Sequence, residues 1–329
     1  MATIKDVARE AGLAVGTVSR VLNHKSVKQE NILKVEAAIK KLNYEVNTYA
    51  RGLKTQRTYT VALILPTIWH PFFSALAYYI ELELAQRDYK LLLCNSEGHP
   101  EKELAYINMA KQNKVDGIIG ISYNDIDHSI EPSLPFVSID RHFNSKAPCI
   151  CCDNEQGGTL AFHQLIELGC KKLAFISCGS SLDNETQKRK TGFTKACFTH
   201  QVTPVILDLI EPIEDLTLHF QNFIKHSILE SPSPIDGIFV TNDGLALRLM
   251  EQLSYFGLRV PEDIQIIGFD GIQSFKEDQV LVSSIKQPVD LMARQAVETL
   301  LRLIDGETVP SLHMLPVEFV SGKTTKPLT

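Results

Sequence analysis

Residues 3–23 read TIKDVAREAGLAVGTVSRVLN, and this stretch decides how the rest of the chain is read. Thr3 stands three residues ahead of Asp6, the spacing of a capping box, in which a hydroxyl and a carboxylate satisfy each other's backbone N–H groups. Ile4, Val7, Ala8 and Ala11 follow at helical period and give one apolar face. Gly12 stops that helix, because glycine takes the left-handed conformation at little cost. A second short helix turns Val18, Val21 and Leu22 inward and Gly16, Thr17, Ser19, Arg20 and Asn23 outward. That outward face is small, polar and cationic, as a helix lying in a DNA major groove needs. Any αα-hairpin has the same spacing. The outward chemistry, the place near the start of the chain and the residues that follow favour the DNA reading.

A third helix is expected over about Gln29 to Leu42, with Ile32, Val35, Ile39 and Leu42 as its stripe and Ala38 beside it. Ile4, Val7, Val18, Leu22, Val35 and Ile39 then form a minimal core, marginal on its own. Residues 43–58, NYEVNTYARGLKTQRT, are polar and basic with one isolated apolar side chain on a short helical segment, Leu53. A linker has no packing reason for that leucine, whereas a wedge between base steps of the minor groove has one. Charge agrees. The whole chain carries −6, yet residues 1–57 hold 11 Lys+Arg against 5 Asp+Glu, and the remainder holds 22 against 34. A basic module on an acidic body is the electrostatic footprint of a nucleic-acid binder.

These residues make the chain resemble the LacI family (LacI/GalR type) of transcriptional regulators. The resemblance rests on TIKDVAREAG, TVSRVLN, KVEAAIKKLNY with Asn47 three residues on, and ARGL at 50–53. IDR at 139–141, DNEQGG at 153–158, TND at 241–243 and GFDG at 268–271 stand in the order of that family's effector-domain signatures. It implies DNA contacts from Thr3, Val15, Gly16, Thr17, Ser19, Arg20, Asn23, Tyr44, Asn47, Ala50 and Leu53, with Val15 and Gly16 at the positions that choose bases. It also implies a body of the periplasmic-binding-protein type I kind, crossed between lobes near residues 153–158, 284–289 and 315–318. Two positions depart from the pattern. Ala14 and Lys28 stand where the family has serine caps, and a lost cap costs about 1 kcal/mol of helix stability.

From about Thr58 the chain alternates strand and helix patterns. Strands are expected at Thr60–Leu65, Lys90–Cys94, Gly117–Ile121, Phe136–Ile139, Leu173–Ile176, Thr203–Leu207, Gly237–Thr241 and Gln265–Gly268. Helical patterns separate them, among them Ser74–Arg87, Leu160–Leu168 and Leu245–Phe256. Continuous apolar strands with helices between them mean parallel sheets covered on both faces. They are too many for one compact sheet, so the expected fold is an all-α helix-turn-helix headpiece on an α/β body of two parallel-sheet lobes. The divisions are a headpiece at 1–46, a hinge at 47–57 and a body at 58–329. Within the body the N-lobe takes about 58–153 and 286–315, and the C-lobe about 154–285 and 316–329.

Ligands of such sheets sit beyond the strands' C-terminal ends. The candidates there are Phe72 and Phe73 after the first strand, Asp140 after FVSI, Asp243 after GIFVTN and Asp270 after IQIIGF. Arg189 stands where the family has its effector-binding arginine. Carboxylates and Arg suit vicinal hydroxyls, and an aromatic ring suits the apolar face of a sugar. Phe72 and Phe73 could instead pack under their helix, and Asp243 could be an N-cap.

No nucleophile elbow, Walker A loop, GxGxxG or metal-ligand run appears, so no enzyme, metal or cofactor is expected. Cys149, Cys151 and Cys152 lack CxxC spacing and read as buried thiols filling a strand. A sugar-binding transport protein would need a signal peptide, and the opening residues are polar and charged. No apolar run reaches membrane-spanning length, and the expected location is cytoplasmic. The tail KTTKPLT has no heptads, which favours a homodimer over a tetramer. The reading is a homodimeric repressor on a palindromic operator, controlled by a sugar or sugar phosphate. The stretches YIELELAQRDYKLLLCNSEGHPEKE and VDGIIGIS resemble regulators of sucrose or ribose operons in Gram-positive bacteria. A global catabolite regulator docked by a phosphocarrier protein is the alternative within the family.

Overall fold

The computed structural model describes residues 2–22, 26–44, 57–112, 115–131, 133–143, 147–180, 182–273 and 278–327. Asn23, Asn47, Ala50 and Leu53, all expected at DNA, lie outside them. The chain forms two units, Met1–Thr58 and Tyr59–Thr329.

The first unit holds α1 (Ile4–Ala11), α2 (Val15–Leu22) and α3 (Gln29–Leu42). The capping box forms as read: Asp6 N–H donates to Thr3 Oγ1, and Thr3 N–H donates to Asp6 Oδ2 at 2.9 Å. Gly12 ends α1 with φ of +65°. Val7, Ala8, Val18, Val35 and Ala38 form the core, with Ile4, Leu22, Ile39 and Tyr44 packed against it. Both departures leave helix starts bare. Lys28 makes no side-chain cap, and Ala14 offers α2 only its carbonyl, which accepts from Thr17 and Val18 N–H.

The second unit carries two sheets. One has the order β11-β5-β4-β3-β1-β2, all parallel, from Leu312–Leu315, Cys149–Cys152, Phe136–Ile139, Gly117–Gly120, Thr60–Leu65 and Lys90–Asn95. The other has the order β12-β10-β9-β8-β6-β7, from Glu318–Val320, Ser283–Lys286, Gln265–Asp270, Gly237–Val240, Leu173–Gly179 and Val205–Ile210. Its pairs are parallel except β10 with β12. The chain therefore passes from the first sheet to the second after Cys152, returns after Lys286, and crosses again between Leu315 and Glu318. One apolar core runs through this region unbroken, joining Leu63, Leu76 and Ile150 to Phe162, Phe175 and Phe269.

Four strands of the described residues, β5, β10, β11 and β12, were not among the eight expected, although the cysteine reading did place β5 in a strand. β10 is SSIK, polar by letter yet fully buried over its first three residues. Its hydroxyls are satisfied inside: Ser284 Oγ donates to Asp243 Oδ1 at 2.7 Å, and Ser283 Oγ bonds Thr325 Oγ1 at 2.7 Å. Hydropathy cannot see such a strand. The three helices named from their apolar runs all start earlier, Asp243–Tyr255 by two residues. The helix α4 (Pro71–Ala85) takes proline in its first turn, where the missing N–H costs nothing. The helix after β5, Asn154–Glu167, is capped by Asp153, which accepts from Gln156 N–H at 2.9 Å.

That helix crosses Lys188–Thr199 so closely that two glycines are required. A Cβ on Gly158 would lie 2.1 Å from the Arg189 carbonyl oxygen, and one on Gly192 would lie 1.8 Å from that of Glu155. Backbone cannot yield as a side-chain tip can. Gly192→Ala is expected to lower the body's melting temperature by roughly 5–10 °C, following an overpacking cost of about 1–3 kcal/mol. Thermal unfolding checks it, and an unchanged midpoint would contradict the close approach.

Candidate functional site

In the first unit, α2 presents Val15, which is 42% exposed, with Gly16 and Arg20 exposed and Thr17 and Ser19 half-buried beside them. Arg20 Nη2 donates to the Ser26 carbonyl at 3.0 Å, which steadies the guanidinium at the surface. A side chain added at Gly16 would meet nothing within 4 Å, so this position is open. Thr3 is engaged in its cap, and Tyr44 is half-buried against the core. The face is hydroxyl-rich, with a cation and one small apolar side chain. The described residues expected at DNA thus divide into an outward group on α2 and the flanking Thr3 and Tyr44.

In the second unit a cleft of about 450 Å³ opens where the two sheets' C-terminal strand ends face each other. From the first sheet's side come Pro66, Thr67, His70, Phe72, Phe73, Glu97, Gly98, Tyr123 and Asp140. From the other come Cys178–Ser180, Asn184, Thr186, Arg189, Glu211, Thr241, Asn242, Asp270 and Gln287. Phe73, Asp140, Arg189 and Asp270 are therefore brought together. Phe72 touches the cleft but is 5% exposed and belongs to the core.

Asp243 needs correction: it does not line the cleft. It is fully buried, its Oδ1 accepting from Ser284 Oγ at 2.7 Å and its Oδ2 from Ile272 N–H at 2.8 Å. It ties β10 to the loop after β9. The N-cap of Asp243–Tyr255 is Asn242, whose Oδ1 accepts from Leu245 N–H at 2.8 Å.

Arg189 is held from several sides. Its Nε donates to Asn154 Oδ1 and its Nη1 to the Thr241 carbonyl, each at 2.7 Å, and its guanidinium lies 3.6 Å over the Phe269 ring. Asp270 Oδ1 stands 3.6 Å from Nη1 and accepts from Gln287 Nε2 at 2.8 Å. Asp140 has the opposite character. It is 2% exposed, and its Oδ1 has no hydrogen-bond partner. Asp140 and Asp270 both adopt positive φ, 57° and 106°, backbone conformations that L residues occupy at a cost and that cluster at ligand sites.

Burial pushes the Asp140 carboxyl up to about 7, with Arg189 pulling the other way and Asp270 adding to the rise. Burial likewise raises Asp270 and Asp243, against the pull of Arg189 and His70 on the former. The unfolded chain releases the Asp140 proton near its ordinary 3.8, the folded chain near 7, so stability declines as pH rises between those values. For Asp140 alone the loss is roughly 4 kcal/mol at most. The ligand-free protein is expected to melt higher at pH 5.5 than at pH 8, and Asp140→Asn should flatten that slope. Thermal unfolding across this range, in which Asp140→Asn kept the parent's slope, would contradict the assignment.

Sequence reasoning missed several lining residues. His70, at the N-cap of α4, places its Nε2 3.9 Å from Asp270 Oδ2. Gln287 follows β10, a strand the apolar pattern hid. Asn154 does not line the cleft, yet it positions Arg189, and its motif, DNEQGG, shows the residue without its role. Polar contacts also join the two sides. Glu185 N–H donates to the Asp140 carbonyl at 3.0 Å, Ser180 Oγ to the Tyr123 carbonyl at 3.1 Å, and His142 Nε2 lies 2.8 Å from Glu185 Oε1.

Cys149, Cys151 and Cys152 fill β5 with no exposed surface. The neighbouring Cys149 thiol and burial push Cys151 up, so its thiol is not poised for ligation. Among the described residues no group of three or more His, Cys, Asp or Glu could hold a metal ion, and no helix is long and apolar enough to cross a membrane.

Comparison with known proteins gives the following. Residues 3–47 match the model of bacterial regulatory proteins of the lacI family, and residues 162–325 that of a periplasmic binding protein-like domain. The chain is 34% identical to the sucrose operon repressor of Streptococcus mutans, covering 98% of this chain and 99% of that one. It is 34% identical to the ribose operon repressor of Bacillus subtilis, with 99% of each covered. A solved periplasmic binding protein/LacI transcriptional regulator from Alkaliphilus metalliredigens, complexed with D-xylulofuranose, matches at a TM-score of 0.70 and 28% identity, over 82% of this chain and all of that one.

Proposed function

The chain belongs to the LacI family of bacterial regulatory proteins, and from that membership we propose that it is a sequence-specific DNA-binding repressor of a carbohydrate-utilisation operon, switched by a small sugar held in the cleft. It is a regulator and not an enzyme. The observation that carries the effector reading is Asp140: a buried carboxylate at a strand end, in a positive-φ backbone, with an oxygen that no protein group satisfies. A buried polar atom without a partner is costly, and a ligand hydroxyl aimed at Oδ1 removes that cost.

Each side of the cleft has its own role. Phe73, with its ring centroid 5.3 Å from that of His70, offers aromatic surface at the cleft for the apolar face of a pyranose or furanose. Arg189, fixed by Asn154 and Thr241, directs its charge to a ligand oxygen, and Asp270 accepts from a hydroxyl beside it. Because Asp140 and Arg189 stand on opposite sides, a ligand bridging them favours one closure of the lobes over another. It shifts DNA binding only by its differential affinity for the two closures, typically 1–3 kcal/mol. The contacts of Glu185, Ser180 and His142 across the cleft belong to the closure seen here.

On DNA, a homodimer would place two copies of α2 in successive major grooves of a palindromic operator. Val15 suits a thymine methyl, while Gly16 offers only backbone. Gly16→Gln is expected to change the preferred operator rather than merely weaken binding, since Gln can pair bidentately with adenine and has open space at this position. Selection from a randomised operator library with parent and Gly16→Gln chains measures this; identical consensus sequences would refute it. A thermal-shift screen of sugars tests the effector reading, because a ligand that binds only the folded form raises its melting temperature.

A further inference from the structure

The charges around the cleft discriminate among sugars. Among the described residues, Glu97, Asp140, Glu211 and Asp270 line it, and against them stands one guanidinium, that of Arg189. Arg189 is already committed to Asn154, Thr241 and Asp270. Among the described residues, four neighbouring cations are committed too. Lys102 pairs with Glu97, Lys188 with Glu185 at 2.7 Å, Lys190 with Asp208 at 2.5 Å, and Arg141 with Asp127 at 2.7 Å. The first turn of α4, whose N–H groups would otherwise attract an anion, starts at His70, 3.9 Å from the Asp270 carboxylate. With the Glu97–Lys102 pair neutral, Asp140, Glu211 and Asp270 outnumber Arg189 once the buried carboxyls have lost their protons, for Asp140 above about pH 7.

Resting on the sugar-effector reading above, we propose that the cleft takes an unphosphorylated, hydroxyl-rich sugar and rejects the phosphate esters of that sugar. A hydroxyl donates to the unpartnered Asp140 Oδ1 and accepts from Arg189. A phosphate dianion can accept from Arg189, but it has no proton to donate to Asp140 Oδ1 and brings like charge to buried carboxylates, where screening by water is weak. The same acidity sets the direction of discrimination. It comes from repulsion of the wrong ligand as much as from attraction of the right one.

The test is isothermal titration of the full-length chain with matched pairs: ribose, fructose and sucrose, each beside its monophosphate ester. The expected result is that a neutral sugar binds and its ester binds on the order of a hundredfold more weakly. Glu211→Lys, which turns a rim carboxylate into a cation, should narrow that gap about tenfold or more by strengthening the ester. An ester that binds as well as its parent sugar overturns the inference while leaving the sugar-effector reading standing. An unchanged gap in Glu211→Lys also overturns it, since charge would then not be the filter. If no neutral sugar and no ester binds at all, the effector reading falls and this inference falls with it.

Discussion

Arg189→Ala is expected to abolish the response to sugar while leaving operator binding at the parent's level. Sugar affinity should fall more than a hundredfold, because a charge-assisted contact in a closed cleft is not replaced by water. The structure adds a consequence that sequence did not suggest. Arg189 is 4% exposed, and its removal takes the donor from Asn154 Oδ1 and the Thr241 carbonyl and leaves Asp270 with Gln287 and His70 but no guanidinium. Breaking a buried pair on one side costs about 3–5 kcal/mol, so the melting temperature should fall by roughly 10 °C. Operator affinity should survive because the headpiece core of Val7, Val18 and Val35 contains no residue of the body. Fluorescence anisotropy on operator with and without sugar, beside thermal unfolding, separates the two effects. Asp270→Ala should behave alike in the anisotropy measurement. If both variants respond like the parent, the cleft is not the effector site.

Val18→Asp is expected to do the reverse. Val18 is fully buried in a core of five buried side chains, too small to absorb a charge. Ionised aspartate at that position should unfold the headpiece and remove operator binding altogether, an effect of several kcal/mol on a unit with little stability to lose. Sugar binding by the body should remain within about twofold, since distant sites with no shared partners act independently. Anisotropy with operator and titration with sugar on the same preparation check this. Operator binding that persists in Val18→Asp would mean that α1 to α3 do not form the DNA-reading unit.

Which parts of this were legible from sequence follows from physics at each place. The headpiece was, because a capping box, a terminating glycine and a 3.6-residue apolar stripe each act locally. The strands β1 and β4, apolar except for Thr60 and Ser138, were, with correct ends, because a strand covered on both faces is a nearly continuous apolar run. β10 was not, since Ser283 and Ser284 are buried through hydroxyl bonds to Thr325 and Asp243, partners about 40 residues away or more. Asp243 was read as a cleft residue for the same reason. A strand-end carboxylate looks identical in sequence whether it faces solvent in a cleft or a serine in the core. The close crossing at Gly158 and Gly192 was hidden because a GG pair suggests a turn, whereas here it lets two helices touch and so fixes Arg189. Asp140, Asp270 and Phe73 were legible by topology alone, since parallel sheets gather their strand ends at one edge.

If a sugar in the cleft controls binding of the headpiece to its operator, as proposed, operator affinity must depend on that sugar. The most direct test takes the palindrome recovered by library selection and measures its affinity for the full-length chain by fluorescence anisotropy, at constant salt, with and without saturating sugar from the thermal-shift screen. The predicted result is a change in operator affinity of about 5- to 150-fold with the parent chain, and little change in non-specific DNA binding. A sugar shown by titration to occupy the cleft that leaves operator affinity unchanged would contradict the claim.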